Sequence, residues 1–224
     1  MTSVAVIDYG AGNLTSVRRG LVRAGLSPVT AASPAALADV AGIVVPGVGH
    51  FAATEAIGDD WREALRRRVD AGVPLLGICL GMQWLFEGST EAPGIPGLAL
   101  ARGLCQSLQK SDLGSRFGET GETTPEVVLR FPKVPHLGWN RVEAVGTGSR
   151  LLAGLDPSAF AYFAHSFAAP IGLDTAATTR HGSTFASAIE RDNVFGAQFH
   201  PELSGDTGAR IFQNFASIVE GRVQ

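Results

Sequence analysis

PLLGICLGMQ, residues 74–83, decides how this chain is read. The run is apolar up to Ile78 and changes character at Cys79, which has Gly77 and Gly81 two residues to either side. A cysteine after a short buried strand and before a helical pattern has the form of a nucleophile elbow with sulfur in place of oxygen. The turn at such a site is strained, so small neighbours are needed on both sides. MQWLFE, residues 82–87, reads as the start of the following helix. A thiol at a helix N-terminus feels the positive end of the dipole, which favours the nucleophilic thiolate. The alternative for Cys79 is an inert core cysteine.

Outward from this turn, the first ninety residues alternate strand and helix. Strands are expected at 3–9, 28–32, 42–47 and 73–78. Helices are expected at 14–25, with Asn13 as N-cap and Gly25 as stop, at 33–40, with proline at the first helical position, and at 59–72. This rhythm predicts an α/β fold with a mostly parallel central sheet flanked by helices on both faces. Residues 103–126 are polar and rich in Gly, Ser and Thr, and read as a surface loop or insertion. Further strands are expected near 127–131, 139–145, 160–168, 184–190 and 194–199, adding mixed or antiparallel pairing in the second half. The tail places Ile211, Phe212, Phe215, Ile218 and Val219 on one helical stripe, a closing helix packed on the sheet. With no repeat and no clear linker, residues 1–224 read as one domain.

Composition narrows the function classes. The chain has 224 residues, 45% of them hydrophobic, and a net charge of −3, which gives no general affinity for nucleic acid or membranes. Arg66, Arg67 and Arg68 read as the solvated face of a helix. Two cysteines, Cys79 and Cys105, do not make a disulfide framework at this length, and Cys105 has no motif around it. No secretory leader and no run of bilayer length is evident, so the expectation is a reduced, cytosolic protein.

A second motif lies in GAQFHPELS, residues 196–204. His200 and Glu202 are two apart and would project to one side if the strand stays extended. A carboxylate there can hold the imidazole tautomer and leave the other ring nitrogen to serve a nucleophile. The alternative is a solvent-facing His-Pro-Glu turn. A zinc-deaminase reading of H-x-E needs a C-x-x-C partner that the chain lacks, so no metal is expected.

The third motif is VPGVGHF, residues 45–51, a glycine-flanked turn whose backbone N–H groups could stabilise an oxyanion. It also fits a dinucleotide-binding pattern through Gly47, Gly49 and Ala52. That pattern belongs after the first strand and needs an acidic residue ending the next one, and both conditions fail. YGAGN, residues 9–13, fails the same test at Thr15. A thiolate, an oriented imidazole and an oxyanion hole at strand ends together imply acyl transfer through a thioester.

GICLGMQ with FHPE resembles the class I, triad-type glutamine amidotransferases. IDYGAGNL, VPGVGHF, KVPHLGWN and YFAHSF narrow the likeness to the branch serving imidazole glycerol phosphate synthesis in histidine biosynthesis. The resemblance implies a flavodoxin-like fold, L-glutamine as substrate, no cofactor, and a (β/α)₈-barrel partner subunit that receives ammonia. It implies Cys79 as nucleophile, His200 as proton shuttle and Glu202 as its orienting carboxylate. It places the oxyanion hole at Val48, Gly49 and Leu80, and glutamine contacts at Gly49, Gln83, Glu91 and Ser166. Many relatives carry glycine where this chain has Val48, and a basic residue is usual at Leu203. The alternatives are a glutaminase subunit of another class I amidotransferase, a non-catalytic amidotransferase-like binding module, and a cysteine peptidase on a similar scaffold.

Overall fold

A computed structural model describes residues 1–108 and 133–222. Its central sheet has eight strands. The N-terminal half supplies β1 (Ser3–Ile7), β2 (Ser27–Ala31), β3 (Gly42–Val45) and β4 (Leu75–Ile78). Two short strands follow, β5 (Gly88–Ser89) and β6 (Leu104–Ser107). The second half adds β7 (His136–Arg141), β8 (Glu143–Ala144), β9 (Phe160–His165), β10 (Phe167–Ala168), β11 (Thr175–His181), β12 (Ser183–Arg191) and β13 (Val194–Ala197). The order across the large sheet is β2-β1-β3-β4-β13-β12-β11-β8. Its first five strands run parallel, and β12, β11 and β8 continue it antiparallel. The doubly wound half thus has the 2-1-3-4-5 order of flavodoxin-like sheets, with β13 as the fifth strand.

Strand parity sorts the core onto two faces. On β1, Val4 and Val6 face one cluster while Ala5 and Ile7 face another. Helices α1 (Leu14–Arg23) and α4 (Gly205–Val219) cover the first face through Val17, Leu21, Ile211, Phe212 and Phe215. Helix α2 (Asp59–Asp70) covers the second through Trp61, Ala64, Leu65 and Val69. Asn13 caps α1 by accepting from the Ser16 N–H at 3.3 Å, and Gly25 leaves the helix at φ 91°.

Several expectations need correction. Residues 33–40 form only a short 3₁₀ turn, Pro34–Leu37, with no side-chain capping bond from Ser33. The expected loop from 103 begins with β6, which pairs with β5 and β10; residues 109–132, including the expected strand at 127–131, lie outside the described residues. The run at 160–168 breaks at Ser166 into β9 and β10. Strand β11 was not anticipated, since TAATTRH has no large apolar residue to reveal a period. The arginine run is solvated yet engaged: Arg66 and Arg68 donate to the carbonyls of Leu98 and Val40 at 2.8 and 2.6 Å, and Arg67 pairs with Glu63. Among the described residues, no helix is long and apolar enough to cross a membrane.

Candidate active site

The turn after β4 is as tight as the two glycines suggest. Cys79 has φ 52° and ψ −108°, which a residue with a side chain rarely adopts and which costs on the order of 1–3 kcal/mol. A Cβ on Gly81 would stand 1.8 Å from the carbonyl oxygen of Val45, and one on Gly77 would stand 2.7 Å from that of Gly81. The backbone of the turn therefore lies directly on β3. The N–H of Cys79 donates to Ala197 on β13 at 2.7 Å, and its carbonyl accepts from Gln83 at 3.0 Å. The helix that follows, α3 (Leu80–Trp84), has only five residues. Its dipole is correspondingly small, so the helix contributes less at the sulfur than the sequence suggested.

His200 provides the larger electrostatic effect. Strand β13 ends at Ala197, and Pro201–Leu203 forms a 3₁₀ turn. The pairing of His200 with Glu202 is thus not that of an extended strand. The turn folds the carboxylate back, and Glu202 Oε1 lies 2.9 Å from His200 Nδ1. Both side chains are buried. Ser204 fixes the turn: its hydroxyl donates to the His200 carbonyl at 2.6 Å and accepts the Tyr162 N–H at 2.9 Å. The His200 N–H in turn donates to the Tyr162 carbonyl at 2.9 Å. Burial works against a charged ring, but hydrogen bonds to Cys79 and Glu202 outweigh it and push His200 up to about 10. A protonated imidazole just past the neighbouring strand is the partner a thiolate requires.

Cys79 opens onto a cleft of about 310 Å³. Gly49, Leu80, Gln83, Glu91 and Ser166 all line it, so the positions carried over for glutamine share one cleft with the thiol. Glu91 Oε2 accepts the Phe51 N–H at 2.8 Å, which leaves its other oxygen available to an ammonium. Gln83 is buried, and its amide donates to the Phe167 carbonyl at 2.7 Å. Leu80 opens α3, so its N–H has no helical carbonyl to serve and can donate elsewhere. Gly49 has φ 98°. Val48 does not line the cleft; its side chain is on the surface, 42% exposed.

Two contributors escaped the sequence reading. The hydroxyl of Tyr9 donates to the Pro46 carbonyl at 2.8 Å, tying loop 46–49 to the end of β1. Burial and the neighbouring Cys79 both raise the Tyr9 pKa, so the hydroxyl keeps its proton and remains a donor. Gln198, fully buried, donates from Nε2 to Cys79 Sγ at 3.6 Å. Tyr9 lies in IDYGAGNL, a stretch that carries the resemblance without pointing to a role at the site. Gln198 lies inside GAQFHPE, one residue past the end of β13, where only its partners in the folded chain reveal its contact with the sulfur.

Three neighbouring parallel strands, β3, β4 and β13, thus bring the glycine loop, the thiol and the His-Glu pair together at their carboxyl ends, where open α/β sheets place their sites. The family description "Glutamine amidotransferase class-I" matches residues 5–219, and the chain belongs to that family. Within it, the relatives are named imidazole glycerol phosphate synthase subunit HisH. The proteins of that name from Deinococcus radiodurans and Halobacterium salinarum are 42% and 44% identical to this chain, each covering 95% of it and 92% of the relative. The one from Xanthomonas euvesicatoria is 42% identical over 97% of this chain and 98% of its own. Among solved structures, "Structure of PurLQS from Thermotoga maritima" matches at TM-score 0.69 with 17% identity, covering 96% of this chain and 97% of the other. "Crystal structure of glutamine amidotransferase" matches at TM-score 0.68 with 18% identity, covering 97% and 98%. At these identities the structural likeness speaks for the fold alone.

Proposed function

We propose that this chain is the glutaminase subunit of an imidazole glycerol phosphate synthase, releasing ammonia from L-glutamine for a (β/α)₈-barrel partner of the HisF type in histidine biosynthesis. The observation that carries this reading is the His200–Glu202 pair at 2.9 Å, just past the strand beside that of Cys79, with Cys79 lining a cleft shared with Gln83 and Glu91.

The chemistry follows from the geometry. Glutamine enters with its ammonium towards Glu91 and its carboxamide over Cys79. The thiolate attacks the carboxamide carbon, and the oxygen takes the charge, facing the amides of Leu80 and the glycine loop. His200 gives its proton to the nitrogen as the C–N bond breaks, releasing ammonia and leaving a glutamyl thioester. The neutral ring then takes a proton from water, whose oxygen attacks the thioester carbon. Glutamate leaves, and the thiolate–imidazolium pair is restored. Throughout, Glu202 orients the ring and balances its charge.

The surface near this site suits a partner. Leu137, beside the cleft, and Trp139 are 66% and 57% exposed on β7, with Leu203 and Val48 also exposed. Trp139 rests edge-on against Tyr162 at 6.2 Å between ring centroids, which pre-forms an aromatic anchor. The apolar Leu203 makes this part of the surface one for packing rather than for an ion pair. Loop 46–49 adds a reason for a partner: Val48 carries its side chain on the surface, and a β-branched residue resists any peptide rotation by which the loop would adjust the oxyanion hole.

Glutamate release from glutamine, measured alone and then with a barrel subunit and its nucleotide substrate, tests the proposal. Strong stimulation by the barrel supports it. Turnover indifferent to the barrel supports a different acceptor, and no turnover in either condition supports a binding module.

A further inference from the structure

Cys79 makes a contact that the triad does not use. Gln198 presents Nε2 to the sulfur at 3.6 Å, and its Oε1 accepts from Gln83 Nε2 at 3.1 Å. The same nitrogen of Gln83 donates to the Phe167 carbonyl at 2.7 Å. That carbonyl also accepts from His165 Nδ1 at 2.9 Å. His165 Nε2 lies 3.1 Å from His136 Nδ1, and His136 Nε2 lies 3.1 Å from Asn140 Nδ2. His136, His165, Gln83 and Gln198 are all buried.

The polarity of this chain is not free. A carbonyl can only accept, so His165 Nδ1 carries a hydrogen. Burial holds both rings below their ordinary range, His136 at about 3 and His165 at about 4, so each is neutral with one N–H. His165 Nε2 is then a bare acceptor, which requires a hydrogen on His136 Nδ1. His136 Nε2 is bare in turn and accepts from the Asn140 amide. At the other end, the Phe167 carbonyl demands the NH₂ of Gln83, whose second hydrogen demands the oxygen of Gln198. Only the NH₂ of Gln198 is left to face the sulfur. Rotating that amide by half a turn would set two NH₂ groups against each other and aim a carbonyl oxygen at the thiolate. The rings are also locked mechanically: His136 is stacked between His181, at 4.0 Å, and Phe163, at 4.6 Å.

We propose that Gln198 is a positioning residue for the nucleophile, its amide aimed at the sulfur as a donor by Gln83, which the Phe167 carbonyl of β10 orients in turn. This rests on the glutaminase reading and goes further. The sulfur is thus served by a directed bond outside the triad, set by the backbone carbonyl of Phe167 through two buried amides. A donor to a thiolate favours the ionised form, and its loss raises the pH at which the sulfur becomes reactive.

The test is the pH profile of alkylation by iodoacetamide, followed at Cys79 by peptide mass spectrometry on the full chain, beside kcat and KM for glutamine. Gln198→Met keeps the length and removes the donor. It is expected to move the Cys79 profile up by about one pH unit and to lower kcat about tenfold, the effect of one hydrogen bond to a charged group, with KM little changed. Gln83→Met removes the donor that fixes the Gln198 oxygen, and is expected to shift the profile in the same direction by less. A folded Gln198→Met with the parent profile overturns the assignment. A parent profile in Gln83→Met overturns the aiming of Gln198, and that variant carries the test should Gln198→Met fail to fold. Alkylation needs no turnover, so failure of the glutaminase reading, seen as no glutamate release by the parent with a barrel, is a separate result.

Discussion

Glu202 Oε1 meets His200 Nδ1 at 2.9 Å across a single intervening proline, with both side chains shut away from solvent. Such a pair is a charge on a charge in a low-dielectric setting, and removing one member leaves the other stranded. Glu202→Gln is therefore expected to lower kcat roughly 100-fold or more. It also has a signature in stability. The folded His200 is pushed up to about 10 from the ordinary 6.5, so its contribution is complete below about pH 6.5 and is lost as pH rises through about 10. Denaturant melts of parent and variant should differ by about 2 kcal/mol at pH 6 and converge towards pH 10. A gap independent of pH would contradict this.

The strained turn predicts an opposition between stability and activity. Cys79→Gly removes the side chain that resists φ 52°. It is expected to abolish glutamate release while raising the melting temperature by about 2–4 °C, the equivalent of ~1 kcal/mol in a chain of this size. Cys79→Ala keeps the strain and should lose activity without that gain. Calorimetry of the two variants side by side decides it.

Loop 46–49 should act as a brake. Val48→Gly makes its peptide free to rotate, and basal glutaminase of the isolated subunit is expected to rise several-fold with folding intact. Tyr9→Phe removes the 2.8 Å bond to the Pro46 carbonyl and should cost about 1 kcal/mol, with a smaller rise in the same direction. Unchanged or lower basal turnover in Val48→Gly counts against the brake.

Trp139→Ala should cost at least about 2 kcal/mol of affinity for a barrel partner, roughly 30-fold, because the ring is already placed and exposed. The melting temperature of the free subunit should hardly move. Isothermal titration calorimetry would show whether the loss occurs.

The βαβ half was legible because β1, β3 and β4 are buried almost throughout and read as continuous apolar runs between helical patterns. Cys79 and its glycines were legible for a steric reason: a backbone this close to β3 tolerates no Cβ at 81. His200 and Glu202 were found, but through an extended geometry that the Pro201 turn replaces. Gln198 and His165 were not found, because a buried polar residue looks like any other until its partners, distant in sequence, are known. Strand β11 was missed because alanine and threonine mark no face, and its place is decided by β12 beside it.

The margins of the large sheet are poor templates for another strand. At one side Pro28 withdraws an N–H from β2, and at the other β8 is two residues long. Lateral addition of a second chain, the usual route from sheet to fibril, meets a missing donor at one margin and almost no ladder at the other. Among the described residues, neither margin therefore favours lateral growth of the sheet, and the rim at the strand ends is left to the cleft.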